Sequence, residues 1–147
     1  MKINLYFKTL PNSELLQKGI ESEIIRLLGK VQFKAKVGWT ESEIGIIDTG
    51  APLSLIPLDM WQDLQVKILA DSSIRGIVPK KQCVLPVKVG SITIRVIDEE
   101  HISKPLNILL NLAPHNKVPL IFGFQNLLSE VKVYFNYNYT VFKLDIT

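Results

Sequence analysis

Ile46-Ile47-Asp48-Thr49-Gly50-Ala51-Pro52-Leu53-Ser54-Leu55-Ile56 is the stretch on which the reading of this chain turns. An acid stands at the end of a short apolar run, residues 44–47, that reads as a buried strand. A small hydroxyl residue and a glycine follow it. A carboxylate carried by a tight turn at a strand's end can be aimed into a cleft. The Thr49 hydroxyl can bond back to the backbone and fix such a turn. Gly50 lets the chain approach closely without a Cβ in the way. By itself Asp-Thr-Gly is a common turn tripeptide. The flanks set this one apart, because a surface turn is not normally bracketed by Ile46-Ile47 and Leu55-Ile56.

Upstream of this stretch, Val31, Phe33, Ala35 and Val37 alternate with polar residues. This predicts a strand with one wet face, close enough to residues 44–47 to form a hairpin with it. Further back, Leu15, Leu16, Ile20, Ile24, Leu27 and Leu28 recur mostly at spacings of three and four. That periodicity predicts a helix over residues 12–28, with Asn12 as N-cap and Gly29 as C-cap. Gly19 inside it costs about 1 kcal/mol of propensity. Residues 3–8 read as a short strand ended by Pro11.

Downstream, residues 57–64 read as a short helix or turn and 66–69 as a strand, with Asp71-Ser72-Ser73 as a turn signal. Residues 74–96 read as two or more strands, Gly90-Ser91 suiting a two-residue hairpin turn. A polar break at 98–101, a strand at 106–112, a loop at 114–119, a short helix over 124–131 and two strands around 136–138 complete the pattern. The expected fold is mainly β.

Composition narrows the classes. The chain has 147 residues, one domain's worth, with 47% apolar and 21% charged residues, which argues against disorder. Net charge is +3, and the basic residues are scattered rather than striped with aromatics. Nucleic acid is therefore not expected as a partner. One cysteine, Cys83, excludes an internal disulfide, and two isolated histidines offer no metal site. No apolar run approaches the roughly 18 residues a membrane span needs. The start of the chain lacks the pattern of an export signal, so a cytoplasmic location is expected.

The segment around Asp48 resembles the active-site signature of aspartic peptidases, above all the retropepsin-like ones. That signature is two apolar residues, Asp-Thr/Ser-Gly-Ala, then a Ser or Thr. Ile46, Ile47, Asp48, Thr49, Gly50, Ala51 and Ser54 match it. Retropepsins also carry an apolar pair, a glycine and a short helix near the C-terminus. Leu120-Ile121-Phe122-Gly123-Phe124-Gln125-Asn126-Leu127-Leu128 is similar to that pattern. In the family, this glycine lies against the active-site loop, where a larger residue would collide. Ile74-Arg75-Gly76-Ile77-Val78 occupies the place of the substrate-covering flap, with Gly76 and Ile77 at its centre. Viral members pair an acid after the Ala with an Arg after the second glycine. Pro52 and Phe124 stand there instead, which argues for a contact rebuilt as an apolar one. In this the chain looks more like cellular and prokaryotic relatives.

The resemblance covers residues 30–147 and leaves 1–29 as an N-terminal extension, a strand plus a helix. It implies a single-domain retropepsin-like acid-protease barrel with that extra helix and a short C-terminal helix. It also implies an aspartic endopeptidase with Asp48 as catalytic carboxylate. Thr49, Gly50, Ala51, Ser54 and Gly123 would support the loop, and no metal or other cofactor is implied. Such catalysis needs two carboxylates, yet the chain holds no second Asp-Thr/Ser-Gly. The second Asp48 is then expected from another copy, in a homodimer acting on a polypeptide. The alternatives are a catalytically inactive dimerisation or peptide-binding module of the same fold, and a β-rich structural protein in which Asp48-Thr49-Gly50 is only a turn. The extension is expected to brace the core, to extend a dimer interface or to be a removable pro-segment.

Overall fold

Alternating apolar and polar residues dominate the chain, and a pattern of period two can be buried only by pairing strands. A computed structural model describes residues 1–75, 84–138 and 141–146. Within them the strands are β1 (Lys2–Asn4), β2 (Tyr6–Pro11), β3 (Glu23–Phe33), β4 (Glu43–Ile47), β5 (Ser54–Ile56), β6 (Lys67–Arg75), β7 (Val84–Ile97), β8 (Leu106–Leu112), β9 (Ile121–Phe122), β10 (Val131–Asn136) and β11 (Val141–Ile146). Among the described residues, helix is limited to α1 (Ser13–Gln17), α2 (Leu58–Trp61) and a 3₁₀ turn at Leu128–Glu130. The protein is mainly β.

Eight strands form one sheet in the order β2-β3-β4-β9-β5-β8-β7-β6. A further pairing of β3 with β7, from Lys30 opposite Ile97 to Phe33 opposite Ile94, joins β3, β4, β9, β5, β8 and β7 into a ring. The alternate residues of those strands fill it. Val31 and Phe33 of β3, Ile92, Ile94 and Val96 of β7, and Ile108, Leu110 and Leu112 of β8 are all buried in one cluster. Each such side chain contributes about 1.5–3 kcal/mol by leaving water. A second sheet, β1-β11-β10, brings the two chain ends together, and Ile3, Leu144 and Ile146 join the same core.

The predicted helix over residues 12–28 is one turn long. Asn12 does cap it, its side chain accepting from the Leu15 N–H at 3.2 Å. Gly19, at φ +76°, then turns the chain out of the helix. Residues from Glu23 onward instead pair with β2, from Pro11 opposite Glu23 to Tyr6 opposite Leu28. The helical stripe has no core to sit on, since Leu16 and Ile20 are 55% and 50% exposed. β2 offers a complete ladder of hydrogen bonds to the β-branched Ile24 and Ile25, and the strand wins. The boundary between residues 29 and 30 thus falls inside β3, and Leu5 from the extension is a core residue.

Other expectations change as well. Ile44, in the run read as buried, is 51% exposed. The strand read over 31–37 stops at Phe33, and Gly38 at φ +71° makes the turn back, leaving Val37 91% exposed. Asp71-Ser72-Ser73 lies inside β6, an edge strand paired with β7 throughout. Gly90-Ser91 is not a hairpin turn but the middle of β7. A Cβ at Gly90 would meet Leu112 Cδ1 at 2.8 Å and the Lys67 carbonyl oxygen at 3.0 Å, so the glycine serves close packing. The short helix expected over 124–131 is reduced to the 3₁₀ turn. Among the described residues, no helix is long and apolar enough to cross a membrane.

Candidate active site

β4 delivers Asp48, and β9 fixes where β4 ends. β9 lies between β4 and β5, parallel to the first and antiparallel to the second. Leu120, just before it, and its own Phe122 accept hydrogen bonds from the N–H groups of Ile46 and Asp48 at 2.9 and 3.0 Å. Asp48 therefore leaves the sheet with its backbone pinned. Its side chain is half-buried, whereas Thr49 and Gly50 are exposed.

The loop that follows is braced from within. The Gly50 N–H donates to Asp48 Oδ1 at 2.8 Å, and the Ala51 N–H donates to the Asp48 carbonyl at 3.2 Å. The local tie is thus the glycine amide. The Thr49 hydroxyl, expected to bond back to the backbone, makes no hydrogen bond among the described residues. A Cβ on Gly50 would lie 3.2 Å from the same Oδ1 and crowd the carboxylate. The other carboxylate oxygen, Oδ2, makes no hydrogen bond among the described residues.

Gly123 closes the brace. A Cβ built there would fall 2.6 Å from the Leu53 carbonyl carbon and 2.7 Å from the carbonyl oxygens of Ala51 and Leu53. These are backbone atoms of the Asp48 loop, so no side-chain motion can relieve the clash. The Gly123 N–H donates to Ser54 Oγ at 2.9 Å in a buried bond, and Ser54 is 1% exposed. Beyond it, the N–H groups of Phe124 and Gln125 donate to the carbonyls of Ala51 and Pro52 at 3.0 and 2.9 Å. Asp48, Gly50, Ala51, Ser54 and Gly123 are thereby brought into one unit. Pro52 and Phe124 are both exposed beside it.

Gly76 and Ile77 lie outside the described residues. The flanking strands β6 and β7 are paired as far as Arg75 opposite Val84. One contributor to the unit escaped the sequence reading. Asn126, at φ +58°, turns the chain after Gly123, and its Oδ1 accepts from the Leu109 N–H of β8 at 3.2 Å. An asparagine three residues past a buried glycine is the available signal, since Asn tolerates the left-handed conformation better than most residues.

Two clefts flank the barrel. One of about 340 Å³ lies between α2 and the β6–β7–β8 region, lined by Leu58, Trp61, Val87 and Pro114 among others. Another of about 470 Å³ is lined by Tyr6, Lys30, Ile44, Asp98 and Glu99 among others. Asp48 belongs to neither. Among the described residues no three His, Cys, Asp or Glu side chains converge as metal ligands would. No protein-family model matches the chain, and no curated protein matches it either.

Proposed function

We propose that the chain is one subunit of a homodimeric, retropepsin-like aspartic endopeptidase in which two Asp48 carboxylates, one from each copy, activate a water against a peptide bond. The observation that carries this reading is the fit of Gly123 against the Asp48 loop, with Ser54 and β9 holding both sides of it. A surface turn does not require such bracing. A carboxylate that must meet a symmetry mate at fixed distance does.

In this mechanism one Asp48 acts as general base on the water, while the other, protonated, polarises the scissile carbonyl. Two carboxylates a few ångströms apart cannot both ionise readily, so they share one proton and titrate as a unit. Asp48 Oδ1 is occupied by the Gly50 amide, which leaves Oδ2 to face the water and the mate. Thr49, exposed in the loop, would bond the opposite loop. The paired strands β6 and β7 lead into the segment bearing Gly76 and Ile77, which would cover an extended peptide bound as an added strand.

The test is casein or peptide-library cleavage across pH, run on the wild type and Asp48→Asn, with sedimentation of both. The reading expects acid-side activity in the wild type, none in the variant, and dimers for both. Equal cleavage by the two proteins, or a strict monomer that still cleaves, would overturn it. A dimer with no activity at any pH would leave the inactive binding module of the same fold.

A further inference from the structure

The cleft of about 340 Å³ beside α2 is separate from the Asp48 unit, and the register of three strands gives its construction. Asp71 of β6 stands opposite Lys88 of β7, and Lys88 stands opposite Leu112 of β8. Residues directly opposite on antiparallel strands share a face, so carboxylate, ammonium and leucine form one row across the sheet. Leu58 and Trp61 of α2 line the cleft together with this row. The Trp61 indole N–H donates to the Ala113 carbonyl at 2.9 Å, and the Leu58 N–H donates to the His115 carbonyl at 3.2 Å. The helix is thereby tied to the chain that leaves β8. Pro86 and Pro114 complete the apolar walls.

Lys88 Nζ donates to Asp71 Oδ1 at 2.9 Å, so the two charged residues of the lining answer each other. A charged group entering the cleft would lose water without gaining a free counter-charge, and an uncharged one is favoured. An indole and two proline rings among the walls suit a flat aromatic ring. β6 adds a backbone to this pocket. It is the last strand of the eight-stranded sheet, and all its residues but Ile74 are exposed. Its outer edge pairs with no strand among the described residues, and such an edge is a template for a further strand. Asp71 and Ser72 line the cleft, so the cleft reaches that edge. A strand added there would set alternate side chains on the face of the row.

We propose that this cleft and the β6 edge form a second docking site, separate from the Asp48 unit, for an extended segment of the polypeptide substrate held through an uncharged aromatic side chain. In naming the substrate as occupant, the proposal rests on the peptidase reading of Asp48. The added strand supplies main-chain hydrogen bonds, and the cleft supplies the choice of side chain. β6 and β7 also lead into the segment bearing Gly76 and Ile77, which the mechanism assigns to cover the peptide. A chain docked on β6 is thus held by the same hairpin. Holding one chain at two places raises its effective concentration at the second.

The experiment titrates the full-length Asp48→Asn protein by NMR with the uncharged peptide acetyl-Thr-Thr-Phe-Thr-Thr-amide. Signals of the Trp61 indole and of the Leu58 and Leu112 methyls are expected to shift and saturate. Replacing the Phe by Ala or Lys, or methylating alternate backbone nitrogens of the peptide, should weaken binding about tenfold or more. Leu58→Arg, at the partly exposed first residue of α2, should abolish it. Made in the otherwise wild-type chain, the same substitution should raise KM for casein severalfold. Cleft signals that stay unshifted, with or without shifts at the Gly50 and Gly123 amides, overturn the docking site and leave the peptidase reading untouched. Equal affinity for the Phe, Ala and methylated peptides overturns it too, as does a casein KM that Leu58→Arg does not change. Binding as expected, with no cleavage of casein by the wild type at any pH, keeps the docking site and sinks the peptidase reading.

Discussion

The Asp48–Gly123 crossing and the arm built from β2, α1 and β3 are made of similar residues and behave in opposite ways. At the crossing, β4, β9 and β5 interlock, Ser54 and Gly123 are buried, and backbone atoms approach too closely for a single added carbon. On the arm, Leu10, Leu16, Ile20, Ile24 and Ile25 are between 36% and 55% exposed. One region is over-determined and the other lightly held. A site that must hold a carboxylate in fixed geometry belongs in the first kind of structure. A surface that greets a variable partner suits the second.

Adding one methyl group at the crossing is the sharpest way to break this contrast. Gly123→Ala forces the Ala51–Leu53 backbone to move, and we expect a loss of about 4 kcal/mol with peptide cleavage abolished. Urea unfolding measures the first and the casein assay the second. A variant with near-wild-type stability would show that the crossing is looser than its contacts imply.

Removing one hydroxyl tests the same brace more gently. Ser54→Ala leaves the buried Gly123 N–H without its acceptor. The cost of a buried unsatisfied donor is about 1–3 kcal/mol, and the upper end, about 3 kcal/mol, is expected here because both partners are enclosed. Ser54→Thr, which keeps the oxygen, should recover part of the loss in the same urea titration.

The seam between β1 and the turn after β7 is electrostatic. Asp98, with a side chain only 5% exposed, accepts from the N–H groups of Asn4, Glu100 and His101 and from His101 Nδ1. Burial pushes its carboxyl up, but these hydrogen bonds outweigh it and bring it down from 3.8 to about 2. A carboxyl lowered in the folded state contributes stability that is fully present above its unfolded value and lost as pH falls through the folded one. The window here runs from about pH 4 down to about pH 2, and the amount is about 2 kcal/mol. Asp98→Asn should flatten the acid limb of the stability curve in that window. An unchanged acid limb would show that the Asn4 tie contributes little.

The two regions also differ in how well the sequence reports them. The packing of Gly123 and Ser54 against the Asp48 loop follows from the resemblance in motif and depends on fixed positions, a glycine standing where no Cβ fits. The strand at 106–112 is legible as an apolar run between a polar break and a loop, and it stands as β8. The arm was misread because spacings of three and four do not exclude a strand when a partner strand is at hand. Whether Ile20 to Leu28 coil or extend is decided by β2, which lies outside the window that periodicity can see. Gly90 misled for a related reason. A glycine required by Leu112 and Lys67 looks in sequence like one required by a turn.

The arm supplies the smallest expected effect. Leu16→Ser and Ile20→Ser remove apolar side chains that are already half in water, so little transfer energy is lost. Each should change unfolding free energy by less than about 0.5 kcal/mol, as surface substitutions usually do. Cleavage of a neutral peptide should also be unaffected, because neither residue belongs to the Asp48 unit. A loss above 1 kcal/mol in a concentration-dependent unfolding transition would mean that these side chains are covered in the assembled protein. The arm would then belong to the subunit interface, and the difference between the two regions would hold only for the isolated chain.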